Sequence, residues 1–306
     1  MRNILLMRSV LPAGWQSAQR ARQRSQHKPM QQSSARYRAG MPQLSLTGLS
    51  ESWLLKECGH LHWEALALDT GRAVPEFIAD DGVRSYAAFT ALSLRAQSLD
   101  GIDENDDFSI DTELCRVGPV RHFSRHRIVD AQQTVATLSM MSTFVNRTEA
   151  GNNRSVVRAA FKELAGDIMS VPEEALEMTE AGKRFRKGGG RCETSARMTT
   201  LKLPEAVEFL PCPNNDFNGA DFLYFASFAS FVDRAEWQRY RFPKPPVTVS
   251  RDVFYHGNIN VGDALEVTFV EGSVDSDDLA HRCEVKRLSD GQKIADVLTK
   301  KRWRRG

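Results

Sequence analysis

Two segments of the chain carry apolar residues at the spacing of an amphipathic helix. In the first segment the apolar positions are Trp53, Leu54, Cys58 and Leu61. Ser50 is a good N-cap and Glu51 lies where the helix dipole favours an acid, so we predict a helix over Ser50–Glu64. In the second segment a phenylalanine recurs at every third position: Phe222, Phe225, Phe228 and Phe231. This spacing predicts a strongly apolar helix within Asp221–Tyr240.

Each predicted helix is followed by runs of residues typical of β-strands. After the first helix these runs are Ala65–Asp69, Val83–Leu92, His126–Asp130 and Gln133–Phe144. After the second helix they are Val247–Val253, Ala264–Val270, His281–Arg287 and Ile294–Thr299. The order of loop, helix and antiparallel strands therefore occurs twice, which indicates a structural duplication in an α+β protein.

A connector separates the two repeats. Asn152-Asn153 and Gly188–Gly190 are breakers, and between them Arg154–Ala165 and Glu173–Lys187 are predicted to form short helices. The expected organisation is a tail at 1–40, a first unit at 41–150, a connector at 151–199 and a second unit at 200–306.

The first forty residues differ in composition from the rest of the chain. They carry eight of the 41 basic side chains and no acidic one, and 16–40 are rich in Gln, Arg and Ser. Such a segment buries too little to offset the entropy of ordering, so we expect a disordered basic tail. Two alternatives stay open. One is an organelle transit peptide, and the other is a start codon assigned too early, with translation beginning at Met30 or Met41.

The remaining chain is acidic, with 33 basic and 39 acidic side chains over 41–306. This balance argues against general nucleic-acid binding, because phosphates are bound by basic surfaces. No run approaches the roughly 20 apolar residues that cross a bilayer, so we expect no integral membrane protein. The five cysteines form no CxxC pair, and a reducing, cytoplasmic location fits them best.

The sequence predicts no metal and no bound cofactor. His60 and His62 are separated by one residue, which is poor ligand spacing on a helix. His122 and His126 fit a helical i, i+4 pair, but no acid or cysteine partner lies nearby in sequence. Gly188–Gly190 lacks the Lys-Ser/Thr of a phosphate-binding loop, and no GxSxG elbow is present. Coenzyme A is expected only as part of a substrate.

The loop Asp216-Phe217-Asn218-Gly219 leads into the second predicted helix. A loop that feeds a helix N-terminus leaves backbone N–H groups free at a polar place. Such groups can bind a carbonyl oxygen that gains charge during acyl chemistry. The alternative is that Asp216 or Asn218 only forms a turn.

The same loop and the helix after it resemble the loop-to-helix segment of hotdog-fold thioesterases. Those enzymes have an acid, then Asn-Gly or Gly-His, then a helix with an early tyrosine. This chain has Asp216, Asn218-Gly219 and Tyr224, but Ala220 stands where the usual histidine follows the glycine.

Further motifs follow in order along the chain. The first unit opens with Gly48–Glu57 and His62-Trp63 and closes with Ser142–Val145. The second unit carries Asp216–Ala220, Asp233–Trp237, Tyr255–Asn258 and Gly262-Asp263. Together they resemble the LnmK-like double-hotdog family, the bifunctional acyltransferase/decarboxylases of leinamycin-type polyketide biosynthesis. The resemblance covers nearly all of 41–306.

The resemblance implies a double hotdog, with two curled antiparallel sheets that each surround a central helix. It implies decarboxylation of a methylmalonyl-type CoA thioester and transfer of propionyl to an acyl carrier protein. Family members use a tyrosine of the first unit as the acyl-accepting nucleophile, and Tyr86 is the best matching position. Sheet packing is the alternative role for a strand tyrosine. A homodimer is a further expectation.

This chemistry needs hydrogen-bond donors at the thioester oxygen and a water-poor place for the leaving carboxylate. Thr143 or the start of the first helix is expected to supply the donors, and Trp53 and Phe144 are the expected walls. The tyrosine needs activation, which His60 or His62 can provide only if the fold brings them together.

Two other functions stay open. One is a hotdog hydrolase or dehydratase of acyl thioesters with Asp216 and Asn218 as the reactive pair. The other is a non-catalytic protein that binds acyl carrier protein. The products of an incubation with methylmalonyl-CoA and a carrier protein distinguish these functions.

Overall fold

The computed structural model describes residues 31–131, 133–161, 171–190, 199–200 and 206–303. Its helices are α1 (Glu51–Asp69), α2 (Glu173–Arg186), α3 (Pro213–Asp216) and α4 (Phe225–Tyr240). Strands of the first half are β1 (Gln31–Arg38), β2 (Leu44–Ser45), β3 (Gly48–Leu49), β4 (Phe77–Ile78), β5 (Arg84–Ala96), β6 (Asp107–Gly118), β7 (Arg121–Asp130), β8 (Gln133–Arg147) and β9 (Val156–Arg158). Strands of the second half are β10 (Thr199–Thr200), β11 (Val207–Phe209), β12 (Val247–Tyr255), β13 (Leu265–Val274), β14 (Asp278–Arg287) and β15 (Lys293–Arg302).

Most strands belong to one large antiparallel sheet. Its order is β1-β6-β7-β8-β5-β12-β15-β14-β13-β10, with β4 on β5, β9 on β8 and β11 on β13. Strands β2 and β3 pair separately. The two halves of the chain meet where β5 pairs with β12, from Arg95 opposite Ser250 to Ala91 opposite Phe254. Backbone pairing therefore continues from one half into the other.

Both halves have the same connectivity. In the first half, α1 is followed by four strands that lie in the order β5-β8-β7-β6, and in the second half α4 is followed by β12-β15-β14-β13. In each half a strand that precedes the helix pairs with the strand that comes second of the four in chain order: β1 pairs with β6, and β11 pairs with β13. This repeat matches the predicted duplication. The division into units at 41–150 and 200–306 stays a prediction.

Helix α1 begins where the sequence predicts. The Ser50 hydroxyl accepts a hydrogen bond from the Trp53 N–H at 3.3 Å. The helix continues past Glu64 to Asp69, so Ala65–Asp69 is helical and its prediction as a strand is wrong. Ala65, Leu66 and Ala67 are all buried, because they extend the apolar face of the helix into the core.

Helix α4 is the second apolar helix. It begins at Phe225, four residues later than expected, and Phe222 lies in the preceding loop. Phe228 and Phe231 are each 1% exposed. Helices α1 and α4 contact each other, and α4 also contacts β13 and β15. The two central helices therefore share one core with the sheet.

The structure corrects the predicted boundary of the disordered tail. Gln31–Arg38 form β1, which pairs along its whole length with β6. The ring of Tyr37 stacks on that of Phe108 at 5.3 Å. The strand is polar because it is an edge strand whose side chains face largely into solvent, so composition alone does not identify it. Residues 1–30 lie outside the described residues.

The connector and the strands of the first half differ from expectation in three further places. Glu173–Arg186 is helical as predicted, but Val156–Arg158 forms β9 where a helix is expected. Strand β6 is missing from the sequence prediction. His122 and His126 lie on β7, a strand, where their spacing places both side chains on one face of the sheet.

The cysteines of the described residues are free. They are Cys58, Cys115, Cys212 and Cys283. Within the described ranges, no group of three or more His, Cys, Asp and Glu side chains is placed to hold a metal ion. No helix there combines the length and apolarity needed to span a membrane.

Candidate functional site

A cavity of about 670 Å³ lies where the two halves of the chain meet. Strands β5 and β8 line it from the first half, and the end of β12 with the residues after it lines it from the second. The loop before α4 and the first turn of α4 complete the lining. Aromatic rings and polar side chains both face this space, which suits a ligand with an apolar part and a reactive polar group.

The wall from the first half carries Tyr86 and Thr143. In the β5–β8 pairing Tyr86 lies opposite Val145 and Ala88 opposite Thr143, so the alternation of strand side chains places all four on one face. All four line the cavity. The Thr143 hydroxyl oxygen is buried and has no hydrogen-bond partner among the described residues. Its hydrogen-bonding capacity is therefore unused by the described residues.

Positive charge surrounds Tyr86. The guanidinium carbon of Arg147 lies 5.9 Å from the centre of the Tyr86 ring and 3.9 Å from that of Phe222. Phe222 packs edge-on against Tyr86, with ring centres 5.7 Å apart. The ion pair with Glu76 raises the pKa of Arg84, and the Tyr86 hydroxyl adds a smaller interaction of the same sign. Two arginines, Arg84 and Arg147, therefore lie close to the Tyr86 side chain.

The wall from the second half carries a histidine–aspartate pair. His256 directly follows β12, and its Nε2 lies 2.8 Å from Oδ2 of Asp296 on β15. The pairing of β12 with β15 brings them together, since Phe254 lies opposite Asp296. Burial acts to raise the pKa of Asp296, but hydrogen bonds from His256 and Lys293 outweigh it, so the pKa is lowered. Asp296 is therefore ionised at neutral pH.

The ionised Asp296 determines which nitrogen of His256 carries the proton. A carboxylate only accepts hydrogen bonds, so Nε2 donates, and in the neutral ring Nδ1 keeps its lone pair. The Nδ1 atom is buried and has no hydrogen-bond partner among the described residues. The His256 side chain is 5% exposed, and the residue lines the cavity. An unpaired basic nitrogen of a residue that lines a cavity is a candidate general base.

The start of α4 borders the same cavity. The N-cap is Tyr224, whose backbone is extended and whose side chain makes no capping hydrogen bond. Tyr224 and Phe225 line the cavity. The first N–H groups of a helix have no intrahelical partner, and the helix dipole makes this end positive. Such a place can bind an oxygen that gains negative charge.

Asn218 and Asp216 shape the loop before α4. The Asn218 Oδ1 accepts hydrogen bonds from the backbone N–H groups of Ala220 at 3.0 Å and Phe222 at 3.1 Å. This is the turn that sequence analysis left as an alternative, although Asn218 also lines the cavity. The Asp216 Oδ2 accepts from the Cys212 N–H at 2.8 Å, and Asp216 does not line the cavity. Both side chains are engaged with backbone, not with each other.

Three arginines line the cavity. Arg154 and Arg287 are each ion-paired with an aspartate. Arg186, the last residue of α2, is exposed, and its hydrogen bond goes to the Tyr255 carbonyl at 3.4 Å. It has no ion pair within the part of the chain that the structure describes. Arg186 therefore brings uncompensated positive charge close to His256.

The residues predicted from the sequence fall into two sets. Those that line the cavity are Tyr86, Thr143 and Asn218. Those that lie elsewhere are Trp53, His62, Phe144 and Asp216. The start of α1, predicted as an alternative source of donors, also lies away from this cavity.

The residues outside the cavity have roles in packing. Trp53 packs edge-on against Tyr37 at 5.3 Å. Phe144 packs against Phe77 at 4.7 Å. The two predicted walls therefore belong to two different apolar clusters of the core. Both rings are placed by the apolar faces of their own elements, not by a shared site.

His62 belongs to a buried polar network. Its Nδ1 lies 2.7 Å from the Ser124 hydroxyl and its Nε2 lies 2.8 Å from the Ser142 hydroxyl. Burial, with smaller effects from His126 and His122, lowers the pKa of His62 well below its ordinary value. With both nitrogens engaged, His62 is not available as a base for the tyrosine.

Sequence reasoning missed the His256–Asp296 pair. Tyr255–Asn258 stood out only as a marker of family resemblance, and Asp296 lies 40 residues beyond His256. The two residues become neighbours only through the register of β12 on β15. A lone acid within a predicted strand, such as Asp296 in Ile294–Thr299, is the one signal that the sequence offers.

No family model matches the chain, and no curated protein matches its sequence. Solved structures do match. An acyl-ACP thioesterase from Bacteroides thetaiotaomicron is 12% identical, with 88% of this chain and 97% of that chain covered and a TM-score of 0.54. A 12:0-ACP thioesterase from Umbellularia californica is 9% identical, with 89% and 98% covered and a TM-score of 0.56.

At these identities the similarity shows the fold alone. It confirms the predicted α+β double hotdog, and the repeated connectivity of the two halves agrees with it. The resemblance to the LnmK-like family finds no match in these comparisons.

Proposed function

We propose that the protein is an enzyme that acts on acyl thioesters, and that hydrolysis is the reaction its cavity suits best. The observation that carries the proposal is the unpaired Nδ1 of His256, fixed by Asp296 in the wall of a cavity that also holds an uncapped helix start. The fold shared with acyl-ACP thioesterases supports the same substrate class.

In the proposed reaction, His256 Nδ1 removes a proton from water as the water oxygen bonds to the thioester carbon. Asp296 stabilises the resulting imidazolium through its hydrogen bond to Nε2. The carbonyl oxygen gains negative charge, which the first N–H groups of α4 stabilise. The C–S bond then breaks, and the thiolate takes the proton from His256. The products are a free acid and a thiol.

The inner lining suits an acyl chain. Trp63, Phe89, Phe225 and Phe228 all line the cavity. Burying apolar chain against them contributes roughly 25 cal/mol per Å² of area removed from water. The Thr143 hydroxyl lies in the same wall and can donate to a carbonyl or hydroxyl of the bound acyl group. The thiol carrier is coenzyme A or an acyl carrier protein.

A second candidate is decarboxylation with transfer of the acyl group to a carrier protein. Two observations favour it: Tyr86 lines the cavity beside Arg147, and the unpaired Arg186 lies close to His256. Arg186 can bind the carboxylate of a methylmalonyl group. Tyr86 would attack the thioester carbon and release coenzyme A as the thiol. The methylmalonyl ester would lose CO2 and take up a proton at its α-carbon. The carrier thiol would then displace the tyrosine hydroxyl, which leaves propionyl on the carrier protein.

Mass spectrometry of one set of incubations tests the proposal. Palmitoyl-CoA, propionyl-CoA and methylmalonyl-CoA are each incubated with the protein, with and without an acyl carrier protein. We expect free acid and coenzyme A, and a loss of about 10²- to 10⁴-fold in rate for His256→Gln, because the general base is removed. Unchanged turnover by a folded His256→Gln protein would contradict the proposed mechanism.

Tyr86→Phe separates the two candidates, because only the hydroxyl is removed. Hydrolysis predicts wild-type turnover by this variant. Transfer predicts propionyl on the carrier protein, an acyl mass on a wild-type peptide containing Tyr86, and no transfer by the folded variant. Decarboxylation without transfer would limit Tyr86 to relaying the acyl group. Binding of carrier protein with every thioester left intact would point to a non-catalytic role.

A further inference from the structure

The ring of Phe225 forms part of the cavity at the point where α4 begins. Its centre lies 4.4 Å from that of Phe89, 4.8 Å from that of Tyr224 and 6.3 Å from that of Trp63. All four residues line the cavity. Aromatic neighbours therefore fix the ring on several sides, and its position helps to set how much space the cavity offers.

Gly59 on α1 faces this ring. A Cβ atom built at position 59 would lie 2.6 Å from Cζ and 2.9 Å from Cε1 of Phe225, and 3.6 Å from Cε2 of Phe89. Contacts under 3.0 Å essentially never occur for real Cβ atoms. Any larger residue at position 59 therefore requires the Phe225 ring to move.

The backbone gives no other reason for glycine at this position. Gly59 is buried in the middle of α1 and is absent from the residues with positive φ. Glycine in a helix interior is less favourable than alanine, because it loses more conformational freedom on folding. Close packing against Phe225 is what the structure offers as an explanation.

We infer that Gly59 determines the depth of the acyl cavity. The ring cannot move toward α1 or toward its aromatic neighbours, so a side chain at position 59 drives it into the open space of the cavity. Gly59 is then a specificity-determining residue for acyl length that does not itself line the cavity. The inference rests on the proposed acyl-thioester function.

The test compares turnover across straight-chain acyl-CoA thioesters from butyryl to palmitoyl. For Gly59→Ala we expect kcat/KM for the longest chains to fall by about tenfold or more, since one or two methylenes lose their place. The shortest chains should change less than about twofold. An unchanged chain-length profile in the folded variant would overturn the inference.

Phe225→Leu tests the same idea from the other side of the contact. The smaller side chain should extend turnover toward longer chains, and in the Gly59→Ala background it should restore the chains that the single variant loses. Failure of this restoration would mean that Phe225 does not transmit the effect. The single Phe225→Leu variant also keeps the test valid if Gly59→Ala folds poorly.

Gly182→Ala is the matched control. Gly182 is also a helical glycine, but a Cβ there would lie 3.5 Å from Cδ1 of Phe254, an ordinary contact. It does not line the cavity. The control should keep the wild-type profile, and a profile shifted like that of Gly59→Ala would contradict a local effect.

Calorimetric binding of the free fatty acids, from butyrate to palmitate, separates this inference from the proposed function. If wild type binds the fatty acids but turns over no thioester, the proposed function fails. A shorter longest-bound fatty acid for Gly59→Ala would still support the inference that Gly59 sets the depth of the cavity. If wild type turns over thioesters and both proteins have the same limit, the inference alone fails.

Discussion

The two central helices begin in opposite ways. Helix α1 begins at a capped and charged end, where Ser50 accepts the Trp53 N–H and Glu51 pairs with Arg251. Helix α4 begins at Phe225, after an N-cap, Tyr224, that makes no side-chain hydrogen bond, and it has no acid in its first turn. It lies beside the cavity of about 670 Å³, which we call the larger cavity. The same element therefore contributes stability in one half and, in our proposal, chemistry in the other.

The charged end at α1 is built around Arg251, whose side chain is fully buried. Its guanidinium contacts Glu51 at 2.7 Å and Asp233 at 2.8 Å, and it donates to the Thr299 hydroxyl at 2.8 Å. Lys301 also contacts Asp233, at 2.9 Å. The space left beside these charges is about 240 Å³. The start of α1 is therefore surrounded by charged side chains, whereas the start of α4 borders the larger cavity. The space of about 240 Å³ at α1 is called the smaller cavity below.

The largest effect is expected at the charged end. Arg251→Met removes the cationic partner of Glu51 and one of the two cations at Asp233, which should lower the free energy of unfolding by about 3–5 kcal/mol. Chemical denaturation measures this loss. Turnover at a temperature where the variant is folded should change little, because Arg251 does not line the larger cavity.

Arg95→Met is the control for that experiment. Arg95 on β5 pairs with Asp252 on β12 at 2.8 Å, but its side chain is 53% exposed. An exposed pair contributes about 1 kcal/mol or less. Equal losses for the two variants would mean that burial of the charges is not what makes Arg251 important.

A cap added to α4 should make the two helix starts alike. In Tyr224→Ser the hydroxyl oxygen can accept from the first backbone N–H groups, which removes them as donors to a substrate oxygen. We expect turnover to fall by about 10²- to 10³-fold, while the new cap offsets part of the stability lost with the packing of the Tyr224 ring on Phe225. Steady-state kinetics with an acyl-CoA thioester measures the change.

Tyr224→Phe leaves the helix uncapped and removes only the phenol oxygen, so it should keep most of its turnover. If the serine variant is as active as wild type, the α4 donors do not stabilise the reacting oxygen. Equal losses in the serine and phenylalanine variants would instead assign the effect to the tyrosine itself.

Acid should weaken the first half of the chain, where His122 is buried on β7. Burial, partly offset by Asp69, lowers the pKa of His122 to about 4. The folded state therefore favours neutral His122, and the resulting stability is present above pH 6.5 and is lost as pH falls toward 4. The loss is on the order of 3 kcal/mol.

Urea denaturation of wild type and His122→Leu at a series of pH values measures this loss. The leucine variant should lose less stability between pH 6.5 and 4, because the titrating group is gone. The same acid dependence in both proteins would assign it to other groups, such as His126, whose pKa burial lowers to about 3.

The smallest effect is expected from Ser50→Ala, which removes the α1 cap. Loss of the hydrogen bond to the Trp53 N–H should cost about 1 kcal/mol of stability. Turnover should not change, since Ser50 lies beside the smaller cavity. A loss of activity without a loss of stability would place chemistry at α1 and reverse the comparison.

The sequence predicts the central helices and the strands that follow them well, because each has a strong periodic pattern. Ser50 marks the start of α1, and the phenylalanines of α4 are buried as their spacing requires. The edge strand β1 is polar and has no such pattern, so the sequence does not predict it. A start codon at Met41, left open above, would remove β1 from the sheet.

The candidate site is harder to predict than the fold. Tyr86 and Thr143 come from family resemblance and do line the cavity, but their roles stay predictions. Trp53 and Phe144 are aromatic residues within the motifs Gly48–Glu57 and Ser142–Val145, which is why they are predicted as walls of the site, yet each packs in the core. His256 depends on Asp296 from a distant strand, and sequence spacing carries no information on such a pair.

The most direct test of the central claim is a crystal structure with a 2-oxoalkyl thioether of coenzyme A, an analogue that keeps a carbonyl but has no C(=O)–S bond to hydrolyse. We predict that the acyl chain lies in the larger cavity, with its carbonyl oxygen within hydrogen-bond distance of the Phe225 or Ala226 N–H and its carbonyl carbon near His256 Nδ1. A carbonyl bound at the start of α1, or an acyl chain outside the larger cavity, would contradict the account.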